Sequence, residues 1–413
     1  VPAPWPLPPW TAASMDGYAV RGTAVRGATP ESPITLPLAG GGHAGDAAPP
    51  PLGAGTAWRV ATGGRVPEGA DSVIRQEDTG GVTGDGQRVT FSSDRDVGRN
   101  IRPVGGDVAR GDIALTAGTW ITPGVVALLA ALGEATPVVH RRPRVGIIAS
   151  GDEVASLDHP EQIASGECLA DVNTPMLAAL IAQAGGVAVP LGLLPDDADA
   201  LAEAVRRADG VDLLLTAGAV SVGEHDHVPR VMATLGAEVL FRRVRIRPGG
   251  PTTLARLPRG GEVPPHGASH RGRDRPAGGV DAIPGGRQER VWLALPGNPV
   301  SAFVTFQVFA RPAIRKMAGD PHPVVSPRVA VLGDGERVTR HPTLDLFLRV
   351  TLERDPAGGP PVARLTGDQG SWVTSSVARA DGLIMVEAGD GTIEAGSRVG
   401  MLWVSGDGGR GDG

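Results

Sequence analysis

The chain reads as a multidomain protein of α/β and β parts: a central doubly wound, mostly parallel sheet, a β-rich inserted domain, and a small C-terminal all-β, barrel-like domain. Three patterns predict this. From 141 to 320, strand-length apolar runs alternate with helical segments, the rhythm of a parallel sheet covered on both faces. Residues 24 to 109 carry short β segments broken by Gly and Pro. Beyond 321, apolar residues alternate with period two in RVAVL and LFLRVTLER.

Taken in order, residues 1–23 end in SMDGYAV and group with 110–140 as a discontinuous N-terminal linker domain. The second part turns helical around GVVALLAALG and stops at Gly133. The chain begins with Val1 after no methionine, which suggests a missing N-terminal segment. The β-rich domain spans 24–109 and includes the loop ATGGRVPEGADSVIRQEDT at 61–79. The α/β domain, 141–320, reads as strand 144–149, helix 175–184, strand 187–193, helix 198–208, strand 211–216 and helix 228–235. In the helix after Asn173 and Thr174, Pro175 sits near N1, while Leu177, Leu180, Ile181 and Ala184 share one face. Residues 259–289 lack periodicity and are rich in Gly, Pro and Arg, so they read as a mobile surface insertion. The C-terminal β domain is 321–413.

The chemistry concentrates where strands end. VWLALPGNPVSAF leaves a buried strand through Pro296 and Gly297, with Asn298 as N-cap and Pro299 at the first helical position. A helix N-terminus there offers amide N–H groups and a positive dipole end to an oxyanion. RVGIIASGDEV leaves a strand through Ser150, Gly151, Asp152 and Glu153. VDLLLTAGAVSVGEHDHV leaves one through a small-residue loop that ends in Asp226. Ligands of open α/β sheets sit beyond the carboxyl ends of strands, so three such exits predict one composite pocket.

Composition narrows the classes. The 413 residues suffice for two to four domains. A formal charge of −6 gives no electrostatic case for nucleic acid. The single cysteine, Cys168, excludes an internal disulfide framework and cysteine-rich metal sites. No apolar stretch approaches ~20 residues and no signal-like segment opens the chain, so the expectation is a cytoplasmic protein without membrane contact. Lys316 is the single lysine; with abundant Gly, Ala and Pro, the arginine bias reads as compositional drift.

Ten segments in order resemble the MoeA family, the molybdopterin molybdenumtransferases that include the C-terminal domain of gephyrin: SMDGYAV, TGGRVPEGAD at 62–71, NIRPVGGD at 100–107, SGDE at 150–153, DVN at 171–173, PDD at 195–197, AGAVSVGEHD at 217–226, RIRPGGPT at 245–252, LPGNPVSA at 295–302 and SSVARADGL at 375–383. The resemblance implies four domains, a molybdopterin-binding-like central sheet, and a homodimer whose cleft lies between protomers. It also implies a reaction: adenylylated molybdopterin and molybdate, with Mg²⁺, give molybdenum cofactor and AMP. Partners would be the pterin nucleotide, molybdate, the adenylyltransferase and molybdoenzyme chaperones.

Carried over by position, the catalytic candidates are Asp16, Thr62, Glu153, Asp196 and Asp226, with Glu153 and Asp226 as metal ligands. Binding candidates are Arg102, Asp107, Ser150, Gly151, Asn173, Ser221, Gly223, Arg243, Arg247, Pro296, Gly297, Asn298 and Pro299. Blander readings stand beside these. Asp16 could cap a turn before Gly17, Arg102 and Asp107 could form a surface ion pair, and Asp196 could be an ordinary N-cap. His225 and His227 read as exposed. Several carboxylates at one edge would repel unless a cation joined them, and hard carboxylate oxygens suit Mg²⁺. The chain departs from the family at Arg243 and Arg247, where lysines are usual, at Gly250, where the family reads PGKP, and at Ala219, where it has glycine. Two alternatives remain open: a non-catalytic pterin-binding or scaffold paralogue, and a molybdopterin adenylyltransferase.

Overall fold

The computed structural model describes residues 1–83, 87–218, 227–258, 289–355 and 357–404, and the chain divides into two compact units, Val1–Val138 and Val139–Gly413.

In the first unit a six-stranded sheet runs in the order Ser72–Arg75, Gly17–Val20, Ala57–Val60, Ile34–Gly42, Arg88–Phe91, Thr79–Thr83. Gly17–Val20, part of SMDGYAV, is therefore an interior strand with all four residues buried. Gly17 is dictated by close approach: a Cβ there would stand 2.1 Å from the Ile74 carbonyl oxygen. Tyr18, Val20, Ile74, Val89 and Phe91 form the core on one face. A two-stranded ribbon pairs Ala12–Ala13 with Ile101–Arg102. The helix Pro123–Ala131 starts at Thr122, whose side chain accepts from the Val125 N–H, and ends before Gly133 at φ 71°, the expected left-handed stop.

The second unit holds the α/β part, with strands β1 Arg144–Ser150, β2 Val187–Leu194, β3 Leu213–Ala217, β4 Glu238–Arg242, β5 Thr253–Pro258 and β6 Glu289–Leu295. Their order is β2-β1-β3-β6-β5-β4. β2, β1, β3 and β6 run parallel, while β5 is antiparallel to both of its neighbours, β6 and β4. Alternate residues of the same strands face two cores. Val145, Ile147, Leu213, Leu215, Leu293 and Leu295 pack with helix α1 (Asn173–Gln183) and with α4 (Pro299–Thr305), whose helical path continues to Met317. Ile148, Leu214, Trp292 and Ala294 pack with α2 (Ala198–Arg207) and α3 (His227–Thr234). Strands buried on both faces read as continuous apolar runs, which is why RVGIIAS and VWLAL were visible in the sequence.

Beyond this, strand Asp345–Glu353 pairs with both Val362–Leu365 and Gly382–Val386. Arg328–Leu332 and Arg398–Trp403 complete the ring. The closed barrel surrounds Ala330, Leu332, Val350, Ile384 and Met401, and closure removes exposed strand edges. Ile246–Arg247 adds to the barrel beside Asp345–Leu346, so RIRPGG bridges sheet and barrel. Most of the 259–289 insertion lies outside the described residues; Glu289 opens β6.

Candidate functional site

The parallel register places Ser150, Leu194, Ala217 and Leu295 together at one edge of the sheet. The chain leaves β1 for β2 on one side and returns to β3 on the other, so the crevice between the carboxyl ends of β1 and β3 is a topological switch point, where open α/β sheets take their ligands. Gly218 follows β3 at φ 97°, and a Cβ on it would lie 2.3 Å from the Ser150 carbonyl oxygen. Glycine is the residue that fits both demands. Gly297 closes on the same point: its own Cβ would be 3.4 Å from Gly218 Cα. From α1, the Asn173 side chain donates through Nδ2 to the Gly297 carbonyl at 2.7 Å. Its Oδ1 is buried with no hydrogen-bond partner among the described residues. Ser150, Gly151, Asn173 and the PGNP corner, distant in sequence, thus share one crevice.

Two acidic segments rim it. A Cβ on Gly151 would meet Glu153 Oε2 at 2.9 Å, so the exposed Glu153 carboxylate folds back over the strand exit. The Asp196 N–H donates to Asp152 Oδ1 at 3.1 Å, joining the exits of β1 and β2. The N-cap reading of Asp196 does not hold. The cap of α2 is Asp197, whose Oδ1 accepts from the Ala200 N–H at 2.7 Å, leaving Asp196 exposed at the rim. Asp226, Ser221 and Gly223, with Ala219 and His225, lie outside the described residues; His227 opens α3.

The PGNP corner is less open than the sequence implies. Asn298 occupies the N-cap position of α4 with Pro299 at the helix start, but its side chain makes no capping bond. Nδ2 donates instead to Ser371 Oγ at 3.0 Å, and the Val300 N–H donates to the Ser371 carbonyl at 3.3 Å. A loop from the barrel therefore takes part of the amide capacity that an anion would use.

Arg243 and Arg247 are both exposed and form no ion pair among the described residues. Arg243 adopts φ 64°, uncommon for a residue other than glycine, and its N–H donates to the Thr252 carbonyl at 2.9 Å. The turn that follows packs on α4, since a Cβ at Gly249 would meet Thr305 Cγ2 at 2.4 Å. Gly250 differs: its nearest neighbours are carbonyl oxygens at 3.7 Å, so a side chain would fit.

In the first unit, Asp16 Oδ1 accepts from the Thr62 N–H at 2.6 Å and from Thr62 Oγ1 at 2.7 Å. These bonds, the side-chain one foremost, hold the exposed Asp16 carboxyl below its ordinary value. Asp16 therefore does tie a turn, the TG loop, besides presenting a charged carboxylate. The second half of this loop is fixed by Trp10, whose Nε1 donates to the Gly63 carbonyl at 3.0 Å while the Arg65 guanidinium carbon lies 4.4 Å from the indole centroid. Arg102 and Asp107 are exposed, and the alternative reading of them as a surface ion pair finds no such pair among the described residues.

Sequence reading missed Asp171, Ser371 and Arg349. Asp171, nine-tenths buried, accepts the Thr174 N–H at 3.0 Å and so satisfies a first-turn donor of α1; its signal was an Asp three residues before Thr174. Arg349 is fully buried in the barrel wall. Burial pulls its pKa down to about 10. An arginine inside the apolar alternation of LFLRVTLE was the available clue.

Comparison with known proteins follows the same division. Residues 1–133 match the family profile "MoeA N-terminal region (domain I and II)", residues 146–316 "Probable molybdopterin binding domain", and residues 334–402 "MoeA C-terminal region (domain IV)". A Bacillus subtilis molybdopterin molybdenumtransferase is 30% identical over 402 residues, covering 96% of this chain and 84% of that protein. Its Haemophilus influenzae counterpart is 31% identical, covering 96% and 88%. For a Nostoc protein of the same name the match is 34% identical and covers 76% of this chain but 64% of the relative. The crystal structure of the molybdopterin biosynthesis MoeA protein from Pyrococcus horikoshii superposes with a TM-score of 0.73 at 26% identity, covering 98% of this chain and 90% of that one.

Proposed function

The chain belongs to the MoeA family, and from that premise we propose that it is a molybdopterin molybdenumtransferase, which converts adenylylated molybdopterin and molybdate to molybdenum cofactor and AMP. The observation that carries this reading is the crevice where Ser150, Gly218 and Gly297 crowd together with Asn173. Its backbone lining suits a phosphate chain bound at a sheet edge, and its carboxylate rim suits one that carries a cation.

In this reading the backbone of Ser150 and Gly151, the Asn173 amide and the PGNP corner seat the pyrophosphate, with Ser221 and Gly223 supplied by the loop after β3. Arg243 and Arg247 neutralise anionic groups, either substrate phosphate or molybdate. Glu153 and Asp226 would hold Mg²⁺, and Asp196 would orient the attacking water. The donors at this edge are hard oxygens, which fit that ion; among the described residues there is no cluster of three or more His, Cys, Asp or Glu. Bound there, Mg²⁺ supplies charge neutralisation of the pyrophosphate. Water attacks the pyrophosphate, its P–O–P bond breaks and AMP leaves; molybdate binds the two dithiolene sulfurs and gives up one oxo group as water, which carries away the two thiol protons. No side chain is needed as a covalent nucleophile, because placement and charge compensation carry the reaction.

Asp16 and Thr62 serve the molybdate end of the cleft, contributed across a homodimer, with Arg102 and Asp107 near them. A cytoplasmic location and exchange with the adenylyltransferase and with molybdoenzyme chaperones complete the reading. Among the described residues no helix is long and apolar enough to cross a membrane.

Purified protein given adenylylated molybdopterin, molybdate and Mg²⁺ should release AMP and yield molybdenum-loaded pterin. Tight binding without turnover would point to a binding paralogue, and pterin adenylylation from ATP to an adenylyltransferase; either would contradict the proposal.

A further inference from the structure

Among the seven tryptophans Trp372 stands out at 71% exposure. It sits on the loop that the barrel sends to the PGNP corner. Buried Arg349 fixes that loop: Nη2 donates to the Gly370 carbonyl at 3.1 Å and Nε to Ser376 Oγ at 3.0 Å. The Arg349 N–H donates to Gln369 Oε1 at 2.8 Å. Ser371, which follows Gly370, touches both Asn298 and the Val300 amide. The Trp372 indole lies against Gly370, where a Cβ would be 2.9 Å from the ring. A rigid aromatic face is thus held in water one residue from the contact with the phosphate-seating corner.

An indole offers a large apolar surface and a π-face that accepts any planar heterocycle. We propose that Trp372 is a stacking platform for a planar nitrogen heterocycle of the bound substrate, its pterin or its adenine. The proposal rests on the molybdenumtransferase reading and adds to it the residue that grips the ring end of the nucleotide. The loop is pinned before the ligand arrives, so little ordering entropy opposes the contact.

Calorimetric titration of wild type, Trp372→Ala and Trp372→Phe with adenylylated molybdopterin, AMP and 6-hydroxymethylpterin tests this. Removing the indole should raise the dissociation constant for adenylylated molybdopterin about tenfold, the usual scale of base–aromatic stacking. Trp372→Phe should recover most of the loss, and the thermal midpoints of all three proteins should agree. Weakened AMP binding identifies adenine as the stacked ring; weakened pterin binding identifies the pterin. Unchanged constants in Trp372→Ala, or equal losses in both variants, overturn the platform and leave the transferase reading standing. Failure of wild type to bind adenylylated molybdopterin at all overturns both.

Discussion

Thr62 donates twice to one oxygen of Asp16, and that carboxyl titrates below its ordinary value because of it. A group depressed in the folded state contributes stability above its unfolded pKa, about 3.9, and loses it as pH falls through the folded pKa. Thr62→Val removes the larger bond and should move the Asp16 titration back toward the ordinary value, read by carboxyl-carbon NMR. An unmoved titration would mean that the hydroxyl is not the cause. Two glycines give opposite expectations. Gly218→Ala puts a methyl into the Ser150 carbonyl at a left-handed φ, and should cost at least about 1–3 kcal/mol in denaturant melts from backbone strain alone. Gly250→Ala, whose methyl would meet its nearest atoms at an ordinary contact distance of 3.7 Å, should fall within about 0.5 kcal/mol of wild type. If the two substitutions cost the same, the close packing described between β1 and β3 is wrong.

At the scale of elements, the adjacent acids before α2 divide two tasks. Asp197 caps the helix and Asp196 does not. Asp197→Ala should therefore lower stability by about 1 kcal/mol, whereas Asp196→Ala should leave the α2 cap intact and lower AMP release; a lost cap in Asp196→Ala, with none lost in Asp197→Ala, would return Asp196 to the cap. The helices and strands of the α/β part were legible because amphipathic or wholly apolar runs of the right length leave a local trace. The PGNP position was legible for the same reason, since Asn298 and Pro299 are where a helix start wants them. What Asn298 does with its side chain was not. Its partner Ser371 is 73 residues away, and no local pattern encodes a contact made by barrel closure. Asp196 and Asp197 were indistinguishable in sequence, because which of two neighbouring acids caps a helix depends on the backbone angles of the turn.

Across the whole molecule, the sequence foresaw three strand exits at one edge, and their convergence follows from the parallel order β1-β3-β6. Motif order carried the rest, because ten modest segments in sequence are far more specific than any one. The unforeseen part is the barrel's role. RIRPGG crosses from sheet to barrel and the Ser371 loop crosses back, so the C-terminal part helps to shape the α/β crevice. The proposed task of the carboxylates at this crevice is to act on the substrate. Its most direct measurement is single-turnover AMP release from adenylylated molybdopterin as a function of Mg²⁺, for wild type and for Glu153→Gln and Asp226→Ala. Wild type should release AMP only with Mg²⁺, with at least about a hundredfold loss in each folded variant, the usual scale when an electrostatic partner of the transition state is removed. Equal rates in all three proteins would contradict it.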